Sequence, residues 1–191
     1  MWNRLTELIA GTALAFAALT PASFGQAAAP AGPAPLAIPN PNYVAIPMEI
    51  TVNRPAAEVW KRVGKFCDIG EWLRVQCTII AGKDGEFGAV RSVANEVLVG
   101  KTELSYTYTQ PVRVGQPYIL YHGTLEARPV TATTSKLVYT LLYDNSTLPD
   151  DAAREKDMAQ RKARFTQALE NMKILAEGGT LPPAPARGGG R

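Results

Sequence analysis

The chain has 191 residues, with 20 basic and 17 acidic side chains, a formal net charge of +3, one histidine and two cysteines. That length allows one ordinary domain with tails, and so mild and dispersed a basic excess argues against a nucleic-acid-binding face. One histidine and two cysteines ten positions apart match no zinc-ligand spacing, so neither a metal nor a cofactor is expected.

Residues 1–27 read as a signal peptide. Arg4 precedes an apolar run from Leu8 to Leu19, Pro21 breaks it, and small residues follow at Gly25 and Ala27. The alternative is a membrane anchor, but the run has twelve residues, where about 20 are needed to span a bilayer. Export to the periplasm or beyond the cell is therefore expected, with no stable membrane anchor after cleavage. In an oxidising compartment Cys67 and Cys77 can form one disulfide; two buried thiols acting as small hydrophobes are the alternative.

Residues 28–42 are rich in Ala and Pro without periodicity and read as a linker; residues 178–191, rich in Pro and Gly, read as a disordered tail. The folded unit is expected over 43–177. It begins with Val44, Ile46, Met48, Ile50 and Val52 in strand alternation, and Pro47 within that run predicts an edge position or a bulge. Asn53-Arg54-Pro55 then starts a helix carrying Ala56, Val59, Trp60, Val63 and Phe66 at helical spacing, with Glu58 and Arg62 placed to pair. A second short helical turn is expected at 68–72.

The centre of the chain reads as a run of antiparallel strands. Val75 to Ile79 and Gly88 to Val93 flank a turn at Gly82 to Gly85; Glu96 to Val99 is extended, whether or not it continues from Gly88, and a turn is expected at Gly100-Lys101. Leu104, Tyr106 and Tyr108 alternate, and long strands follow near 118–127 and 135–144. The last element is a helix of about 26 residues, for which Thr147-Leu-Pro149-Asp150-Asp151 supplies a capping residue, a proline in the first turn and acidic groups at the positive end; it is stopped at Gly178-Gly179, with Phe165, Leu169, Met172 and Leu175 on one stripe.

This order, with Ile50-Thr-Val-Asn-Arg-Pro55-Ala-Ala-Glu58-Val-Trp60 early, Gly85-Glu-Phe-Gly88-Ala-Val-Arg91 in the middle and Leu169-Glu-Asn-Met172 at the close, resembles the SRPBCC superfamily. That is the Bet v 1-like or START-like helix-grip fold, and the likeness is to its polyketide cyclase/dehydrase and lipid-transport branch. The resemblance implies an α+β fold: a curved antiparallel sheet of six or seven strands wrapped around a long C-terminal helix, with two short helices after the first strand. It also implies a deep cavity between sheet and helix. Members of the superfamily carry lipids and sterols, sense hormones, bind quinones or cyclise polyketides.

By alternation Tyr106 and Tyr108 share one face, and Tyr118, Leu120 and His122 share one on the next strand. The resemblance turns these residues, Glu96 and Tyr139 toward the cavity, with Phe165, Leu169 and Met172 covering them and Arg91 as a further polar handle. The bland alternative is a filled core, with Arg91 and Glu96 simply paired across a turn.

The expected function is an exported protein binding a hydrophobic small molecule: a lipid, isoprenoid or aromatic metabolite. A cyclase/aromatase- or dehydratase-like enzyme is the alternative, in which His122 or Glu96 moves a proton while Arg91 stabilises an enolate-like oxygen. A non-catalytic interaction module of the cell envelope is a third.

Overall fold

A computed structural model of the protein describes residues 38–183. The expected signal peptide (1–27), linker residues 28–37 and tail residues 184–191 lie outside the described residues. The elements run β1 (Tyr43–Val52), α1 (Ala56–Val63), α2 (Ile69–Trp72), β2 (Ile79–Ala81), β3 (Val90–Arg91), β4 (Glu96–Thr102), β5 (Ser105–Thr109), β6 (His122–Pro129), β7 (Ser135–Asp144) and α3 (Asp151–Ala176).

The strands form one antiparallel seven-stranded sheet in the order β1-β7-β6-β5-β4-β3-β2. The two short helices and α3 all pack on one face of it, which is the helix-grip arrangement of an α+β fold. Pro47 can sit in β1 because that strand is an edge, paired on one side only with β7. Alternation decides which side is dry. Ile46, Met48 and Val52 of β1 and Leu137, Tyr139, Leu141 and Tyr143 of β7 are buried, and they meet Phe165, Ala168, Leu169, Met172 and Leu175 of α3.

Local chemistry sets the ends of α3. Asp150 is its N-cap, its Oδ1 accepting from the Ala153 N–H at 2.7 Å, and Gly178 follows the helix at a φ of +88°, a conformation that favours glycine. Both flanks of the domain are tied down. Asn42 bonds Asp144 and Asn145 through its backbone and side-chain nitrogens at 2.9 and 2.8 Å. The tail was expected to be disordered from residue 178, yet Leu181 packs on the core and Arg74 Nη2 donates to the Pro182 carbonyl at 2.5 Å. A single apolar side chain and one charged donor suffice to hold this stretch.

Other expectations shift by a few residues, each for a visible reason. Val75 to Ile79 contributes only Ile79 to β2, because Arg74 takes a positive φ of 57° and the Val75 N–H is bound to the Gly70 carbonyl. β4 runs through Gly100 and Lys101 to Thr102, with a register irregularity between Leu98 and Gly100 in place of the expected turn. Gly88 to Val99 is two strands. Arg62 pairs with Glu71 of α2 at 2.8 Å, rather than with Glu58 on its own helix, and so holds the two short helices together.

Cys67 and Cys77 are disulfide-bonded, with Cα atoms 5.5 Å apart. The loop they close contains α2 and the fully buried Trp72. Replacing both cysteines by alanine is expected to lower the free energy of unfolding by about 2–4 kcal/mol. In urea titrations, dithiothreitol should reproduce that loss in the native protein and leave the double variant unchanged.

Candidate functional site

The site is built around the four-residue turn, residues 92–95, that joins β3 to β4. Between β3 and β4, Ala94 and Asn95 both take positive φ, 51° and 54°, while the Glu96 N–H reaches the Val93 carbonyl at 3.0 Å. That is the turn geometry that suits a twisted hairpin, and it sets Arg91 directly opposite Glu96. Arg91 Nε donates to Glu96 Oε2 at 2.7 Å, Nη2 lies 2.6 Å from the same oxygen, and Nη1 donates to the Phe66 carbonyl at 2.6 Å. The pair is shut off from water, Arg91 being 0% and Glu96 4% exposed.

Aromatic rings complete the surroundings. The guanidinium carbon lies 4.3 Å from the centre of the Phe66 ring and 4.5 Å from that of Tyr108, a cation held between two π faces. Burial pushes the Glu96 carboxyl up; Arg91 and a 3.2 Å bond from Gln110 Nε2 pull it back without cancelling the shift. Burial also disfavours the Arg91 charge, but the oxygens of Tyr106 and Glu96 outweigh it, and the guanidinium stays protonated.

The tyrosines expected to line a cavity instead fill much of the groove. Tyr108 and Tyr139 join hydroxyl to hydroxyl at 2.9 Å, and Phe165 of α3 lies on Tyr139 with ring centres 4.7 Å apart. Gly123 of β6 makes room: a Cβ there would overlap the end of the Tyr108 ring. Leu169 and Met172 close the same layer and are buried. Tyr106 is buried between Trp60 and Phe66, at 5.6 and 5.5 Å, and its hydroxyl has no hydrogen-bond partner among the described residues.

Two expected positions face elsewhere. Tyr118, Leu120 and His122 were placed on one inward face by strict alternation, but β6 begins only at His122 and Leu120 takes a positive φ of 49°. The phase therefore slips by one, and Tyr121 enters the core in their place. His122 is half-buried on the outer side, its Nδ1 3.1 Å from the Leu120 carbonyl, and Leu120 lies in the loop. Tyr118, in the loop before β6, lines a smaller chamber of about 370 Å³.

Open space survives at the β4–β5 end of the groove. A chamber of about 640 Å³ is walled by Trp60 and Phe66 from α1 and its exit, Phe87 from the β2–β3 loop, and Leu98 and Tyr106 from the sheet. Lys61, Lys65, Lys101, Asp84 and Glu103 stand around it. Trp60 and Phe66 pack against the core and line the chamber at once. Phe87, 65% exposed between Gly85 and Gly88, is the residue that its own sequence context could have flagged.

The sequence profile of the polyketide cyclase/dehydrase and lipid transport family matches residues 44–177, the whole of this sheet and helix. The chain belongs to that family. Solved structures agree on the architecture. The Zhui aromatase/cyclase from Streptomyces sp. R1128 superposes with a TM-score of 0.53 at 19% identity, covering 73% of this chain and 100% of its own. A protein from Thermobifida fusca gives 0.53 at 21% identity, covering 72% and 97%. One from Nitrosospira multiformis gives 0.51 at 24%, covering 69% and 94%. At these identities the likeness is one of fold. No curated protein matches the sequence.

In this member of the polyketide cyclase/dehydrase and lipid transport family, two charged clusters make measurable predictions. Arg91→Met leaves Glu96 buried without its partner, so unfolding by urea is expected to show a loss of about 3–5 kcal/mol, most of it recovered in R91M/E96L. The second cluster is on α3, where Asp157 Oδ2 accepts from Tyr143 Oη at 2.6 Å and from Arg161 Nε at 2.8 Å. Partial burial pushes the Asp157 carboxyl up, but these two bonds win and hold it below its ordinary 3.8. The folded state therefore binds this proton less readily than the unfolded chain. Its contribution is complete above about pH 4 and is lost as pH falls through the lowered pKa. The stability gap between the native protein and D157N is expected to be full near pH 7 and to narrow on acidification.

Proposed function

We propose that this protein binds a small, largely apolar molecule in the chamber at the β4–β5 end of its groove. The observation that carries this reading is the chamber itself. Its volume of about 640 Å³ falls within the range of ligand pockets, about 300–1,000 Å³, and its apolar surface comes from Trp60, Phe66, Phe87, Leu98 and Tyr106, set among charged and hydroxyl side chains. A lipid, isoprenoid or aromatic metabolite has the matching chemistry. Tyr106 contributes its ring to the wall of the chamber, while its hydroxyl is buried toward Arg91. We place the protein in the periplasm or outside the cell; the secretory pattern of residues 1–27 and the disulfide both favour an oxidising compartment.

A second reading, catalysis of the kind named for Zhui, has one observation in its favour. Burial raises the Glu96 carboxyl, so it holds a proton to higher pH than an exposed carboxyl does. Its engagement with Arg91 and Gln110 weighs the other way, as does the outward placement of His122.

Native mass spectrometry of protein from its own host is expected to show a co-purifying apolar molecule. In the emptied protein, Phe87→Ala should weaken a naphthalene-based fluorescent probe about five- to tenfold, the value of one lost aromatic contact. An empty protein that also fails to take up the probe would overturn the proposal. Turnover of any polyketide-like substrate that vanishes in E96Q would move the assignment to catalysis.

A further inference from the structure

A second chamber, of about 370 Å³, lies at the other end of β5, beneath the β5–β6 loop and beside the first half of α3. It shares no residue with the aromatic chamber and has a different chemistry. Its polar walls are Gln110, Arg113, Tyr118, Tyr121, Thr147 and Arg161, against an apolar side formed by the loop prolines and Ile119.

Arg161 is the built part of this site. Its Nε is bonded to Asp157 Oδ2 at 2.8 Å, and its guanidinium carbon rests 4.4 Å from the Tyr143 ring centre and 5.4 Å from that of Tyr121. Asp157 is itself held by the Tyr143 hydroxyl. Three neighbours thus fix the position of the guanidinium through one nitrogen and one face. Among the described residues its two Nη nitrogens bond no carboxylate, and the Tyr121 and Tyr143 hydroxyls stand close enough to share them. A guanidinium oriented in this way presents a planar fork of N–H donors, which matches a carboxylate in a two-point contact better than a point charge does.

Local charge narrows the class further. Arg161 and Arg113 against Asp157 leave about one unbalanced positive charge, which suits a monoanion, whereas a dianion would meet the Asp157 carboxylate with excess negative charge. The volume and the apolar side call for a compact body on that anion. We infer that this chamber is a second binding site, for a small organic monocarboxylate whose carboxylate is gripped by Arg161. It stands independently of the aromatic chamber.

Benzoate is a suitable probe, titrated into the intact protein and followed by calorimetry and by backbone amide shifts. Saturable shifts are expected around Gln110, Tyr121, Thr147 and Arg161, with Lys61, Phe87 and Lys101 unmoved. Arg161→Gln should weaken benzoate about tenfold or more, and Arg161→Lys, which keeps the charge and loses the fork, about fivefold. Inorganic phosphate at matched ionic strength should not compete. Because Arg161 lies on two core tyrosines, Thr147→Phe, which narrows the chamber from its exposed rim, serves as a second variant and should also weaken binding. Shifts confined to the aromatic chamber would overturn the inference. So would equal competition by phosphate, or benzoate affinity unchanged in folded R161Q or in T147F.

Discussion

Arg91 and Glu96 face each other across a four-residue turn inside the protein, and most of the groove is arranged around making that tolerable. A guanidinium and a carboxylate removed from water each carry a desolvation cost of several kcal/mol, recovered only when geometry and additional bonds are good. Here the additional bonds come from three separate places. Phe66, at the exit of α1, supplies a carbonyl and a ring; Tyr108 supplies the opposite ring; Gln110, at the end of β5, supplies an amide to the second carboxylate oxygen. The pair therefore ties the short helices to the far strands of the sheet, which share few other contacts.

That arrangement also explains where space remains. Tyr108 must stay near the guanidinium, and it is fixed there by Tyr139, which is fixed in turn by Phe165 and Trp72. The middle of the groove is thereby occupied by side chains that hold one another. Toward the β4–β5 hairpin the same aromatic row reaches Tyr106, with Trp60 and Phe66 against it, and no further ring stacks on Trp60 among the described residues. The aromatic chamber is the unfilled end of the row. On the other side, the row continues through Tyr121 and Tyr143 to Arg161, so the two chambers sit at opposite ends of one continuous aromatic layer with a buried charge pair in its middle.

The family's description covers both cyclisation and lipid transport, and acid–base chemistry would need polar groups that reach a ligand. In this chain the candidates for acid–base work are either engaged or turned away. Glu96 is already bonded twice, and the lone histidine looks outward. What faces the aromatic chamber is aromatic and aliphatic carbon among side chains of mixed charge. Such a surface holds a molecule more readily than it transforms one, which is why binding is the reading we favour.

Much of the fold was legible before any coordinates. The span of β7 from Ser135 to Asp144, the length of α3 and the start of α1 after Pro55 follow from periodicity and a proline. These are local signals, felt within a few residues, and the sequence by itself determined them. The site was legible only in part, because its form depends on contacts between distant segments. A single left-handed residue, Leu120, exchanged Tyr121 for His122 in the interior. An absent side chain at Gly123 decided that Tyr108 could lie across β6 and fill the groove. Which volume stays empty is the remainder after every large side chain has found its rotamer against neighbours far away in sequence, and that remainder was decided only by the tertiary structure.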